Sequence, residues 1–312
     1  MAKVISKRLY AHKQQNNIYE VCQTAYRPNY LAETALTKVH SDIMKAIDQG
    51  HCVFLVLLDL SAAFDMVSRD ILLSCLRRSL GISESALDWI SSYLTNRTQC
   101  VLINGKLTEP SAVKYGVLGH DFFSDYRAPV TELVRSFSLT PQCYANDTQI
   151  YGSFTPCLDE QDAIKNVEDC IECLRKFMQQ NRLKFNDNRT EFLILGSPSN
   201  LKRTNTSSST VGDQIIKASH NIRNIGAFFD ENMEMETQVK NVCEKAWYYL
   251  HNIGKIRQYF SASAEQLNTV VHSYVTLHLD QNNVLLYELT PEISIRAANG
   301  PERSSSDDQW EK

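Results

Sequence analysis

The sequence predicts an α+β fold in which helices back an antiparallel sheet, and three observations carry that prediction. Val53-Phe54-Leu55-Val56-Leu57-Leu58 is a continuous apolar run, too short to span a membrane, that reads as a strand buried on both faces. Asn104-Gly105 is the strongest short hairpin signal in the chain. Some way beyond both, polar residues in Gln142-Cys143-Tyr144-Ala145-Asn146-Asp147-Thr148-Gln149-Ile150-Tyr151 interrupt two β-prone runs, as at a tight hairpin tip. Hairpins demand antiparallel neighbours, which argues against a doubly wound domain carrying Asp59 as a phosphoacceptor at a strand end.

The elements follow in order. From Ala2 to about Gln14, Val4, Ile5, Leu9 and Tyr10 recur at helical spacing between basic residues, the pattern of a surface helix. Pro28 biases Arg27 away from helix, so Ala25-Tyr26-Arg27-Pro28-Asn29-Tyr30 is a loop, and Thr34 to Ile47 is helical. After the apolar strand, Ser68 can cap a helix from Arg69 to Leu80 closed by Gly81, and Ser83 another through Leu87, Ile90 and Leu94. Thr98 to Ile103 is β-prone and returns beyond Asn104-Gly105 through Val113 and Tyr115. His120 is expected in an exposed loop, and Pro129 interrupts the helical pattern around it. Asp159 to Gln180 is an amphipathic helix with Ile164, Val167, Ile171, Leu174 and Met178 on one stripe. Glu191-Phe192-Leu193-Ile194-Leu195 is a strand, and Ser197 to Ser209 a serine-rich loop without core signal. Residues 236–260 and 264–278 read as helices, and 297–312 as a disordered tail.

Composition bounds the function. At 312 residues, with 43% apolar and 9% aromatic content, the chain suits one large globular domain or two ordinary ones. Nine scattered cysteines without a signal peptide suggest reduced thiols in an intracellular compartment, nucleus or cytoplasm. Cys170 and Cys173 form a lone C-x-x-C whose first member lies on a helical apolar stripe, which points to packing rather than zinc or redox chemistry. A net charge of −4 gives no overall basic footprint, yet residues 1–45 carry seven Lys and Arg against three Asp and Glu. Such an opening segment suits phosphate contacts, or is a solvated helix face. No transmembrane segment, internal repeat or heptad array is visible.

Asp59 closes the buried strand. Alone, it reads as a cap on the backbone that follows; together with the acid at the later hairpin tip, it suggests two carboxylates meeting in space. Leu58-Asp59-Leu60-Ser61-Ala62-Ala63-Phe64-Asp65, followed by Tyr144-Ala145-Asn146-Asp147-Thr148-Gln149, resembles the two catalytic boxes of reverse transcriptases in the form carried by non-LTR retrotransposons. The similarity runs collinearly from Met1 to about residue 296, through Ala25-Tyr26-Arg27-Pro28 and Leu183-Lys184-Phe185-Asn186.

That resemblance implies a polymerase-like palm over 53–230, partial fingers over 1–52 and a truncated helical thumb over 231–296, cut off at both ends and lacking an endonuclease domain. It implies RNA-directed DNA synthesis on an RNA template and DNA primer from deoxynucleoside triphosphates. Asp59, Asn146 and Asp147 fall in the catalytic boxes, with Asp59 and Asp147 as ligands of Mg2+ or Mn2+. Arg27 matches a segment near the incoming nucleotide, and either touches phosphate or is a solvated loop arginine. Phe64 matches the aromatic position beneath the sugar, or is a core phenylalanine. Arg189 stands for the basic residue of the family's Lys-Thr-Glu stretch, keeping its charge without a readily shared proton. Ile222 to Phe229, including Ile225 and Gly226, resembles the primer-grip strand.

Three departures stand against the family pattern. Asn146 replaces the first aspartate of the second box. Gly116-Val117 runs straight into Leu118-Gly119, about five residues short, and Asp121 and Asp125 put charge on a helix that is largely apolar in the family. Nucleotidyl transfer by two divalent ions about 4 Å apart needs hard anionic oxygens. A neutral carbonyl at Asn146 removes a unit of charge about 2 Å from a doubly charged ion, a loss of several kcal/mol even at moderate dielectric. The expectation is weak metal binding and a rate reduced by orders of magnitude. The alternative is a non-catalytic nucleic-acid-binding or scaffold protein derived from such an element.

Overall fold

The computed structural model describes residues 2–286 apart from 62, 114, 117–119, 213 and 258–263. Helices α1 (Ala2–Asn16) and α2 (Ala32–Asp48) precede the apolar run, which forms β1 (Cys52–Leu58). Period-two alternation divides that strand between two cores. Phe54, Val56 and Leu58 pack with Leu72 and Leu76 and with Val167, Ile171 and Leu174. Val53 and Leu55 face Leu36, Val39 and Ile43 of α2 on the other side. Helices α3 (Arg69–Leu80) and α4 (Glu84–Leu94) follow. Gly81 closes α3 in the left-handed region at φ 65°, as expected, whereas Ser68 and Ser83 hold N-cap positions without a capping bond from either side chain.

A ribbon comes next, with β2 (Thr98–Gln99) paired to β5 (Ser111–Ala112) and β3 (Leu102–Ile103) to β4 (Lys106–Leu107). Asn104 and Gly105 turn it with φ of 48° and 77°, the double positive φ that an Asn-Gly pair accommodates. Val101, Leu102, Ile103 and Leu107 are exposed on it. Pro129 marks a new start, because α5 (His120–Arg127) ends just before it and α6 (Pro129–Ser136) begins on it, where its missing N–H is no loss. His120 opens α5 instead of lying in a loop. The shortened stretch at 117–119 and the side chain of Asp121 lie outside the described residues.

The charge at Asp125 has a partner. Lys13, one helical turn past buried Leu9 on α1, forms an ion pair with Asp125, and both side chains are nearly closed to solvent. The expectation of a wholly solvated or phosphate-facing opening helix is therefore corrected at Lys13, whose charge is consumed inside the fold.

Strands β6 (Thr140–Tyr144) and β7 (Asp147–Phe154) form the expected hairpin. Helix α7 (Glu160–Gln180) buries the expected stripe, with Cys170 on it fully buried and its thiol pushed up to about 12 by desolvation. Strand β8 (Glu191–Leu195) completes a four-stranded antiparallel sheet in the order β6-β7-β1-β8. The serine-rich stretch is less of a loop than its composition suggests. It contains α8 (Pro198–Leu201) and enters β9 (Ser208–Val211), which pairs with β10 (Gln214–Lys217). Buried Glu160 accepts from the N–H groups of Asn205 (2.9 Å) and Thr206 (2.6 Å), and Glu168 accepts from Thr210 N–H. Polar pins replace the apolar signal that the sequence lacks there.

The presumed single strand over Ile222 to Phe229 is a hairpin of β11 (Asn221–Asn224) and β12 (Ala227–Asp230). Ile225 and Gly226, with φ of 45° and 89°, are its turn. Helix α9 (Glu236–Ile256) packs against α10 (Ala264–Val271), a π-helical turn (His272–Thr276) and α11 (Leu277–Asp280) around Ala246, Ile253 and Val275. The expected helix over 264–278 is present as a continuous helical run from Ala264 to Asp280 that widens to π-helix over His272–Thr276, and the expected tail at 297–312 lies outside the described residues. No helix among the described residues is long and apolar enough to cross a membrane.

Removing one partner of a buried ion pair leaves the other uncompensated. Lys13→Met should lower the unfolding free energy by about 3 to 5 kcal/mol in urea denaturation, and Lys13→Met with Asp125→Leu should recover most of that loss. An equal loss in single and double variants would show that α1 docks through packing alone.

Candidate active site

The register of two strands builds the site. β1 and β7 pair through Leu58 and Thr148, so Asp59 and Asp147 stand one step beyond the last rung of that ladder, at the same end of the sheet. The segment before β8 joins them: Asn186 N–H donates to the Asp59 carbonyl (2.9 Å), Ser61 N–H to the Lys184 carbonyl (2.9 Å), and Leu60 bridges Phe185. A one-turn 3-10 helix (Asp187–Arg189) then delivers Arg189. Its first residue, Asp187, is held by the Arg175 guanidinium at 2.9 and 3.3 Å.

Asp59 is surrounded by donors. Asn146 Nδ2 donates to its Oδ1 at 2.7 Å; Asn186 Nδ2 (3.5 Å) and Arg189 (3.4 Å) approach its Oδ2. The Asp59 side chain is only 14% exposed, whereas that of Arg189 is 74% exposed, so the guanidinium covers the carboxylate from the solvent side. Burial, and then the charge of Asp59, push the Asp147 carboxyl above the usual carboxylate range, against the pull of Arg127 and Arg189.

The hairpin tip is strained and clamped. Ala145 adopts φ 55°, a region where a side chain costs energy, and its carbonyl accepts from buried Arg127 and from Gln23 Nε2 at 3.3 Å. Arg127 also donates to Thr148 Oγ1 and to Cys143 Sγ (3.2 Å). Segment 22–24 runs along β6, with Cys143 N–H bonded to the Cys22 carbonyl (2.8 Å) and Thr24 N–H to the Cys143 carbonyl (3.1 Å). Sequence reasoning assigned no role to Arg127 or Asn186. A lone cation among Phe122, Phe123 and Tyr126, and a polar residue ending Leu183-Lys184-Phe185-Asn186, were the available signals.

The other expected site residues divide. Arg189 reaches Asp59. Asn224 Nδ2, just before the Ile225-Gly226 turn, donates to buried Gln149 Oε1 (2.8 Å), which brings that hairpin against β7 two residues past Asp147. Arg27 is stacked between Tyr19 and Tyr30, with ring centroids 4.8 and 4.4 Å from its guanidinium carbon, and donates to the Glu20 carbonyl. Phe64 is half-buried against Phe123, the ring centroids 4.6 Å apart, and packs on the rim of the core beneath the sheet.

A two-ion centre does not fit these residues. Asp59 and Asp147 bring two carboxylates to the pocket, Asn146 turns its amide N–H toward Asp59, and the Arg189 guanidinium approaches the same carboxylate. Among the described residues no group of three or more His, Cys, Asp and Glu side chains is arranged to hold a metal ion.

No protein-family model matches the sequence, and no curated protein matches it. Among solved structures, apo telomerase from Candida tropicalis is similar at 12% identity and a TM-score of 0.47, over 94% of this chain and 50% of that one. Telomerase from Candida albicans, in complex with a fragment of telomeric RNA, is similar at 11% identity and a TM-score of 0.44, over 92% and 47%. The chain spans about half the length of these structures. Such distant similarity leaves the functional reading to rest on the geometry of the chain itself.

Asp147 makes stability depend on pH with a definite sign. Its folded-state affinity for a proton exceeds that of the unfolded chain, so its contribution is full below the unfolded carboxylate pKa of about 3.9 and is lost as pH rises through the raised folded value. Asp147→Asn should raise the Tm at neutral pH and flatten the decline in Tm above pH 4. An unchanged pH profile would show that Asp147 is not crowded by Asp59.

Proposed function

We propose that the chain is a reverse transcriptase-like domain derived from a non-LTR retroelement, whose ancestral reaction is RNA-directed DNA synthesis and whose own centre is severely impaired. The observation that carries this reading is the pair of carboxylates, Asp59 and Asp147, set side by side by the β1–β7 register at one end of an antiparallel sheet backed by helices. Palm, partial fingers and short helical thumb are the corresponding parts of this reading, with template RNA, primer DNA and deoxynucleoside triphosphates as ligands. All nine cysteines are free thiols, which suits a reducing intracellular compartment.

Bound Mg2+ or Mn2+ would activate a primer hydroxyl and stabilise the leaving oxygen. The chain's own residues work against that chemistry. Asn146 and Asn186 donate hydrogen bonds to Asp59, and Arg189 pairs with it. This saturation favours the second reading, a nucleic-acid-binding or scaffold protein that keeps the fold without the reaction.

Primer extension on an RNA template with Mg2+ or Mn2+ distinguishes them. Product should lie orders of magnitude below that of an intact family member, and comparable product would overturn the claim of impairment. Asn146→Asp should restore little, because Asn186 and Arg189 still engage Asp59 and the sequence after Val117 remains short. Substantial recovery would make Asn146 the sole lesion.

A further inference from the structure

A cleft of about 580 Å³ opens between α1 and the first turns of α4, across the corner that joins α3 to α4, and shares no residue with the carboxylate pocket. Its size is that of a small-molecule site. Leu9 and Ile90, each 5% exposed, tie its lining to the core, and Ile82, Ala86 and Trp89 add apolar surface. His12 also lines it, with both ring nitrogens engaged: Nε2 donates to the Leu80 carbonyl at 2.7 Å, and Nδ1 lies 3.3 Å from Asn16 Nδ2. That ring braces α1 against the end of α3, so the walls are held in place before any ligand arrives.

Three polar side chains of the lining remain uncommitted. Arg8 has no carboxylate partner among the described residues, and the hydroxyls of Ser83 and Ser85 have no hydrogen-bond partner among them. Ser83 holds the N-cap position of α4 without a bond from its side chain, which leaves that hydroxyl available. No acid lines the cleft.

One guanidinium and two hydroxyl donors answer a single anionic head. A phosphate dianion would bring a second charge that nothing on the lining meets, and an ammonium would face a cation without an acid to receive it. A bare inorganic anion would leave the apolar walls wet. The complement is a carboxylate on an apolar body, and the indole face of Trp89, 38% exposed, favours a body that is aromatic.

We infer that this cleft binds an aromatic monocarboxylate, with its ring against Trp89 and Ile82 and its carboxylate on Arg8, Ser83 and Ser85. Such a ligand bridges α1 and α4 and stabilises the native chain.

Isothermal titration calorimetry of the full chain tests this with three probes. These are 4-phenylbutyrate, 4-phenylbutylamine, which carries the same ring on an ammonium, and octanoate, which carries the same head on an aliphatic body. Phenylbutyrate should bind one-to-one, the amine at least about tenfold more weakly, and octanoate between them. Arg8→Gln should weaken phenylbutyrate about tenfold. Ala86 is exposed and leucine is a good helix former, so Ala86→Leu should fold as the parent does, fill the cleft and abolish binding. Phenylbutyrate should raise the Tm of the parent and leave that of Ala86→Leu unchanged. The Trp89 indole N–H resonance, identified by its loss in Trp89→Phe, should shift on titration. Absence of saturable binding by the parent chain, equal binding of the amine, an unmoved Trp89 resonance, or full affinity in Ala86→Leu would overturn the assignment. Octanoate binding as tightly as phenylbutyrate would overturn the aromatic body. None of these outcomes depends on primer extension, which reads the carboxylate pocket.

Discussion

The ladder between β1 and β7 is the constraint on which the candidate site depends. Two acids at the end of one sheet repel and resist burial, and a register shift of one residue would turn Asp59 to the opposite face from its partners. The fold meets that repulsion with cations. Arg127 sits beneath the hairpin tip and Arg189 above the pocket, and both draw the Asp147 carboxyl downward against the effects of burial and of Asp59. The charges of the two acids are thus met by cations of the chain itself.

Support for this arrangement comes from places that look unrelated in the chain. Arg127 belongs to a helix beginning near the shortened segment, yet it holds the strained Ala145 carbonyl from below while Gln23 holds it from the side. Arg175, on α7, fixes Asp187 and so the single helical turn that carries Arg189. The two asparagines, Asn146 and Asn186, come from opposite neighbours of β1 and meet on one carboxylate.

The main helices and the central sheet were legible because periodicity is strong where burial is complete. β1, α3 and α7 fall within a residue or so of their expected bounds, and the meeting of Asp59 with the hairpin tip was readable from two acids at strand ends. Polar construction was not readable. The Lys13–Asp125 pair lies between helices distant in sequence, and each residue alone looks like surface. The pins from Glu160 and Glu168 order a serine-rich stretch that carries no apolar pattern. Ile225 occupies a left-handed turn position that a β-branched residue seldom takes, so a hairpin looked like one strand. Arg27 and Phe64 found aromatic neighbours, a choice that residue type does not dictate.

Because β1 is apolar toward both cores, the contrast between oily and wet faces that normally pegs a strand against its neighbours is missing, and size and shape alone must resist sliding. The knot of amides and guanidinium on Asp59, lying just past the final rung, acts as a stopper at the end of that ladder. The same contacts that fill the candidate pocket therefore also brace the end of the sheet.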